Sequence, residues 1–589
     1  MRIKSLILTI AWIVSVSLFF SCSRTINKSI SIIESTDIHG VILPYDFTEK
    51  EKINFSMASS YGYIRNVRGK KDVTFLLDNG DNLQGQPEVY YYNFIDTVSP
   101  HFLSSVMNYM GYDAGTVGNH DIETGHRVYD RLVKEYNFPL LAANAVDSKT
   151  GKPYFKPYKI IEKGGVRIAI FGLVTPAIPN WLPPELYSGI EFKDMVETAR
   201  KWMPVIINEK PDLVVGLFHS GWDKNEAKLK QTDNLNENGS AAVAFNVPGF
   251  DIIFNGHDHK IANEKIVNTT GDTVLILNGG SRSEKLAEAD ITFAKGKTNG
   301  KQKKQFSGQI VNVADFKPDP EFIKKFDQQF RVIDEYVNRV IGNSSETVTS
   351  RDAYFGPSAF ISMIHSIQLE ITHADVSFAA PLSFDVQINK GPVTVGDMFK
   401  LYRFENMLYT MSLSGDEIQK YLEYSYSGWF NTMSGPDDLL LKLRIGKDGK
   451  PVLNNGKAWL KNQSYNFDSA SGINYTVDVS KPEGSRIVIS GFKDGRPFER
   501  NKMYKVAVNS YRGNGGGGHF TEGIGLSKDE LRKRLITSTE RDLRYYILKS
   551  IEEKKSINPV AEKNWKIIPE KWVINAVQNE YPMLFGINK

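Results

Sequence analysis

From Ile30 onward, short β-branched runs recur between amphipathic stretches. Ser31-Ile32-Ile33-Glu34-Ser35, Val73-Thr74-Phe75-Leu76-Leu77, Val166 to Phe171, Leu213 to Phe218 and Ile252-Ile253-Phe254 are examples. Apolar runs of this kind, bounded by Gly, Asn or Asp, predict buried strands. The segment from Phe192 to Asn208 has helical spacing and separates two of them. That alternation predicts an α/β layered domain. Pro318-Asp319-Pro320 then opens a charged stretch from Glu321 to Ile341, with Phe322, Phe326, Phe330, Ile333 and Val337 three or four apart. This spacing predicts a connecting helix. A second domain follows, with a helix expected over Glu417 to Tyr426 after Ser414-Gly415-Asp416. The expected organisation is a 1–22 leader, a 23–30 tether, a 31–317 first domain, a 318–344 linker helix, a 345–570 second domain and a 571–589 tail.

A length of 589 residues favours two or more domains over one core. Hydrophobic residues make up 41% and aromatics 12%, which fits an ordinary globular protein and neither a disordered nor a fibrous one. The formal net charge is only +4 and no long basic run occurs, so a nucleic-acid polymer is not an expected partner.

Arg2 and Lys4 precede an apolar stretch from Ser5 to Phe20, followed by Ser21-Cys22. A charged start and a run shorter than the roughly 20 residues of a spanning helix read as an export signal. Cys22 is the only cysteine, so no intramolecular disulfide can form. Leu18-Phe19-Phe20-Ser21-Cys22 resembles a loose lipobox, which makes Cys22 the expected lipidated N-terminus of an exported bacterial lipoprotein. The short polar tether lacks an acidic run, so the anchored protein is expected to face the periplasm.

Candidate chemistry concentrates at strand ends. Asp37-Ile38-His39, Gly80-Asp81-Asn82-Leu83-Gln84, Gly118-Asn119-His120-Asp121, His219-Ser220-Gly221 and Gly256-His257-Asp258-His259 each follow an apolar run. Five of the ten histidines lie in these motifs. Singly, some are weak, since Asp-x-His occurs on surfaces and a turn aspartate such as Asp81 is common, whereas Gly118-Asn119-His120-Asp121 and the alternating His257 and His259 are more specific. Together they form the pattern expected where strand C-termini line a crevice. Mixed imidazole, carboxylate and amide ligands suit Mn, Fe, Co or Zn, and a shared carboxylate suits a two-ion hydrolytic site. We expect two divalent ions, with Asp37, His39 and His259 on the first, Asn119, His219 and His257 on the second, and Asp81 bridging them. His120 is left free to stabilise developing charge or to protonate a leaving oxygen.

These motifs resemble the calcineurin-like metallophosphoesterases, and their order is similar to that of the bacterial 5′-nucleotidase family. The resemblance implies an α/β/β/α four-layer catalytic domain followed by an α/β nucleotide-binding C-terminal domain. It also implies a carboxylate partner three residues beyond the catalytic histidine. Glu123 holds that position here, a longer side chain than the family's aspartate. Two rings would sandwich the base: Phe404, in Leu401-Tyr402-Arg403-Phe404-Glu405-Asn406, and Tyr511, in Val508-Asn509-Ser510-Tyr511-Arg512 ahead of Gly515 to Gly518. The segment Gly391 to Leu408 looks closest to the 2′,3′-cyclic-nucleotide 2′-phosphodiesterase/3′-nucleotidases, as do Thr150 to Pro153, Tyr475 to Asp478 and Asn564-Trp565. The arginine cluster of the 5′-nucleotidase branch is missing from Phe378 to Leu382. The expected activity is therefore on cyclic and 3′-nucleotides. A 5′-nucleotidase or nucleotide-sugar hydrolase, and a nucleoside-binding lipoprotein without activity, remain the alternatives.

Overall fold

A computed structural model describes residues 28–225, 236–298 and 301–587. Cys22 and the leader fall outside the described residues. None of the described helices is long and apolar enough to cross a membrane.

Two six-stranded sheets lie face to face in the first domain. One runs Lys301–Asn312, Lys285–Thr298, Ile30–Ser35, Val73–Asp78, Ala114–Thr116, Leu140–Leu141, and the other Ile261–Val267, Thr273–Gly279, Ile252–Asn255, Leu213–His219, Val166–Val174, Tyr158–Lys163. Their central strands pair in parallel, Ile30 with Val73 and Val215 with Ile252 for example. Parallel strands buried on both faces read as nearly continuous apolar runs, and the alternation decides which core each side chain enters. Ile30, Ile32, Phe75 and Leu77 meet Ile168, Ile170, Val215 and Phe254 between the sheets. Ile33 and Leu76 point outward onto helices such as Met57–Arg68 and Phe102–Met110. Phe171 and Val214 face the opposite helical layer, with Met195–Asn208. The result is the α/β/β/α sandwich.

The connecting segment differs from the single predicted helix. It forms two helices, Pro320–Lys325 and Asp327–Asn338, that break at Phe326, and Val340–Ser344 is already a strand paired with Gly391–Thr394. Phe322, Phe326, Ile333 and Val337 are buried in the first domain's outer core. Their spacing signalled burial against a domain, which a free-standing linker would not need.

The second domain is built on a five-stranded sheet ordered Ser469–Ser471, Val376–Ala379, Met503–Asn509, Met407–Ser414, Leu535–Asp542. Helix Gly415–Trp429 packs on it, started by a capping box in which Ser414 and Glu417 satisfy each other's backbone N–H. It runs three residues beyond the predicted Tyr426 because Trp429 is buried in the core. The predicted tail is also ordered: Glu570–Phe585 is a helix whose Tyr581, Leu584 and Phe585 enter that core. Buried Glu580 on it accepts the backbone N–H of Leu440 (2.6 Å) and Leu441 (2.9 Å).

The two domains are docked. Tyr90 donates its hydroxyl to Asp542 at 3.1 Å and lies 4.8 Å beneath the Arg544 guanidinium. Lys400 pairs with Glu49 at 3.0 Å, and Asn514 donates to the Trp181 carbonyl at 3.2 Å.

Candidate active site

All five motifs sit at or just beyond the C-terminal ends of strands, three from one sheet and two from the other. Tight reversals there turn the side chains back over the strand ends. Asp37, His39, Asp81, His257 and His259 all adopt left-handed backbone, with φ between 49° and 75°. Side chains other than glycine avoid this region, so five such residues in one cluster mark a strained functional site. Gly118 allows the close crossing: a Cβ there would lie 2.1 Å from an Asp81 carboxylate oxygen.

The turns gather two groups of ligand atoms, Asp37 with His39 and His259, and Asp81 with His219 and His257. His259 Nε2 is 3.3 Å from Asp37 and 3.1 Å from His39 Nε2. His219 Nε2 is 3.1 Å from Asp81 and 3.3 Å from the Asn119 side-chain oxygen. Thus every sequence-predicted ligand position lies in one cluster. The outer groups fit metal binding as well. The Gln84 carbonyl lies 3.0 Å from His39 Nδ1, and the Asn79 carbonyl 2.6 Å from His219 Nδ1. A carbonyl accepts only from N–H, so both Nδ1 atoms carry a proton and both Nε2 atoms are the ones turned into the cluster, as metal-binding histidines are held.

Electrostatics agree with a site built for cations. Burial opposes charge on His219, yet the Asp81 carboxylate raises its imidazole to about 10. Asp81 is itself held well below the usual carboxylate range, because His219 and His120 outweigh its burial. His39, whose burial dominates, falls to about 4 and is neutral. The buried carboxylates thus draw positive charge into the cluster.

His120 lies beside this cluster, its backbone N–H 2.7 Å from Asp81 Oδ1. Its Nδ1 is 2.6 Å from Glu123 Oε2, so the longer glutamate reaches the ring. Burial disfavours its charge, but Asp81 and Glu123 raise it to about 9.

Several residues here were missed by sequence reasoning. Asp121 accepts four backbone N–H groups, from Asp81, Asn82, Leu83 and Gly118, at 2.8–3.1 Å. Its place directly after Asn119-His120 was the available signal. Trp181 lies over His257 with ring centroids 5.5 Å apart at 30°, and Glu237 bonds His257 Nε2 at 3.0 Å. Nothing in Ile178-Pro179-Asn180-Trp181 pointed to the site.

In the second domain, Phe404 and Tyr511 are both partly buried, each with a guanidinium nearby: Arg403 6.0 Å from the Phe404 ring, Arg512 5.5 Å from the Tyr511 ring. Glu405, next to Phe404, is pushed up to about 8 by burial, against the pull of Arg544, and the charge of Glu123 adds to the rise.

Residues 30–261 match the calcineurin-like phosphoesterase family, and residues 340–522 match the 5′-nucleotidase C-terminal domain. The chain therefore carries a calcineurin-like phosphoesterase domain followed by a 5′-nucleotidase C-terminal domain. It is 27% identical to a 2′,3′-cyclic-nucleotide 2′-phosphodiesterase/3′-nucleotidase of Haemophilus influenzae, over 92% of this chain and 88% of that protein. It is 26% identical to a 5′-nucleotidase of Vibrio cholerae, over 67% of this chain and 75% of that one. A trifunctional nucleotide phosphoesterase of Bacillus subtilis is 27% identical over 92% of this chain, which spans only 39% of that longer protein. A putative 5′-nucleotidase from Staphylococcus aureus, solved in complex with alpha-ketoglutarate, shares the fold with a TM-score of 0.74 at 22% identity, covering 92% of this chain and 99% of that one. This phosphoesterase is a metal-dependent phosphoric ester hydrolase.

Proposed function

We propose that the enzyme opens 2′,3′-cyclic nucleotides to 3′-nucleotides and then releases phosphate from the 3′-nucleotide. The observation that carries this reading is the pair of His/Asp groups beside the His120–Glu123 dyad. Asp37, His39 and His259 would hold one divalent ion, Asn119, His219 and His257 the other, and Asp81 both. Mn, Zn, Co and Fe all suit these donors. Two ions there would supply a nucleophile at neutral pH and neutralise phosphoryl charge. His120, held by Glu123, would stabilise charge on the phosphoryl group or give its proton to the leaving oxygen. Phe404 and Tyr511 would stack the base.

The choice of ester rests on the segment Phe378 to Leu382, where Phe378, Ala379, Ala380 and Leu382 are buried and which carries no arginine for a 5′-phosphate. The Haemophilus influenzae relative supports the same branch. The Vibrio cholerae relative supports the 5′-nucleotidase alternative. The first 22 residues support export and anchoring through a lipid on Cys22, with the enzyme facing the periplasm. Radiolabelled palmitate incorporation, lost in Cys22→Ser, tests the anchor.

Phosphate release by soluble protein starting after Cys22, with Mn²⁺, on 2′,3′-cyclic AMP, 3′-AMP and 5′-AMP tests the activity. Turnover of the first two, abolished by Asp81→Ala, is expected. Preference for 5′-AMP would overturn the substrate assignment, and no turnover with any metal would favour a nucleoside-binding protein.

A further inference from the structure

The edges of the first domain's two sheets meet outside the candidate metal site. Leu140–Leu141 is an edge strand of one sheet and Tyr158–Lys163 an edge strand of the other. The chain between them stitches the edges together. Lys156 donates its backbone N–H to the Leu140 carbonyl at 3.2 Å, and its own carbonyl accepts from Ala142 at 3.0 Å. A cleft of about 660 Å³ opens along this seam, and none of the candidate metal ligands lines it. That volume is in the range of small-molecule sites.

The charges along the cleft are unbalanced. Lys134, from helix His126–Glu135, lines it together with Lys156 and Lys159, and all three are exposed. None of the three ammonium groups has an ion-pair partner among the described residues. Other lysines of the same domain do: Lys71 pairs with Asp290, Lys163 with Asp113 and Lys304 with Asp251. Asp130 is the one carboxylate among the described residues of the lining, and both its oxygens are engaged. One accepts the Tyr154 hydroxyl at 2.9 Å, and the other lies 3.1 Å from His126 Nδ1. Three ammonium groups and one carboxylate leave a surplus of positive charge that only a ligand from outside can neutralise.

The rest of the lining is aromatic. Tyr136, Phe138 and Tyr154 all contribute to it. Tyr136 and Phe138 pack with centroids 4.5 Å apart at 32°, and Tyr154 is fixed by its bond to Asp130. Fixed rings beside mobile cations suit a ligand with two unlike ends. Lysine recognises phosphate as a point charge, and every base offers a π-face to an aromatic side chain. A concave site with rings on its wall also favours a ligand that enters it over a flat partner surface. We propose that this seam cleft is a second binding site, for a nucleoside diphosphate, with Lys134, Lys156 and Lys159 on the phosphates and the aromatic wall on the base.

The test is photolabelling of the soluble protein with 8-azido-ADP in EDTA, which prevents turnover, followed by peptide mass spectrometry. Label within residues 133–159, displaced by ADP, is expected. The double variant Lys156→Glu/Lys159→Glu should weaken ADP displacement there about 10-fold or more. Lys70→Glu/Lys533→Glu, at exposed lysines elsewhere, should leave it unchanged. Inorganic pyrophosphate should compete about 10-fold more weakly than ADP, because it lacks a base to stack. With Mn²⁺ restored, Lys156→Glu/Lys159→Glu should hydrolyse bis(p-nitrophenyl) phosphate at the parent rate. Absence of label from 133–159, or displacement unchanged in that variant, would overturn the site. Pyrophosphate competing as well as ADP would overturn the nucleoside assignment, and a fall in hydrolysis would overturn the separation from the metal site. The result does not depend on which ester the enzyme cleaves.

Discussion

Replacing Asp121 with asparagine should loosen the turn that carries Asp81. The Asp121 carboxylate accepts the N–H of Asp81 and Gly118 on one oxygen and of Asn82 and Leu83 on the other. Asparagine keeps one acceptor oxygen and puts an NH₂ opposite the remaining two N–H groups. Two charge-assisted bonds are lost, and two buried donors are left facing a donor. At about 2 kcal/mol per bond the cost is about 4 kcal/mol. In a domain of this size that lowers the unfolding midpoint by roughly 10 °C. The same bonds hold Asp81 in its left-handed conformation at φ 56°. Removing them should also weaken Mn²⁺ binding by about 10- to 100-fold, as loss of an outer-shell partner does. Calorimetric unfolding of metal-free protein and titration calorimetry with Mn²⁺ measure the two effects separately. Stability within 0.5 kcal/mol and affinity within about two-fold of the parent would refute the assignment of Asp121 as the clamp.

Three further outcomes are expected. His120→Ala should lower kcat by about 10²- to 10⁴-fold while bound metal, measured by mass spectrometry, stays at parent level; loss of metal would make His120 a ligand instead. His365 is buried between the Ser377 and Ser469 hydroxyls, and burial lowers its imidazole to about 4. The unfolded chain binds this proton below about 6.5, so stability is full above that pH and falls between 6.5 and 4, by about 3 kcal/mol for this residue. His365→Gln should flatten that part of the stability curve, and an unchanged slope would contradict the argument. Carbodiimide coupling of Lys400 to Glu49, paired across the domain junction at 3.0 Å, should abolish turnover if the second domain must rotate during the cycle. Glu49→Gln treated in the same way is the control, and full activity of the cross-linked protein would rule out rotation.

Much of the candidate site was legible because its candidate ligands are scarce residue types placed after apolar runs. Asp37, His39, Asp81, Asn119, His219, His257 and His259 stand at the ends of strands whose burial follows from their sequences. Less legible was anything fixed by distant partners. Phe322 and Ile333 looked like the apolar stripe of a linker, and only the opposite face, with Met57 and Phe102, shows them as core of the first domain. The segment after residue 570 looked like a tail, but Glu580 caps N–H groups about 140 positions earlier in the chain. Trp181 caps a single 3-10 turn, Ile178–Asn180, too short for periodicity, so its position depends on contacts made across the fold.

The left-handed turns explain why the motifs read as weak when taken singly. On an extended segment, Asp37 and His39 would share a face by simple alternation. In the folded chain both have positive φ, and their backbone N–H groups are bonded to the Gly80 and Asp81 carbonyls at 2.9 and 3.0 Å. Each of the two turns is therefore held by the other, and neither conformation is encoded in its own four or five residues. Asp37 in turn accepts the His257 N–H at 3.0 Å, and its carbonyl accepts from Arg282, another residue with positive φ. Strain of about 1 kcal/mol or more per residue is sustained only where neighbours over-determine the conformation. The ligand turns form such a mutually bonded set, so the cluster should form when both sheets are in place, with its nitrogen and oxygen lone pairs already converged before a cation arrives.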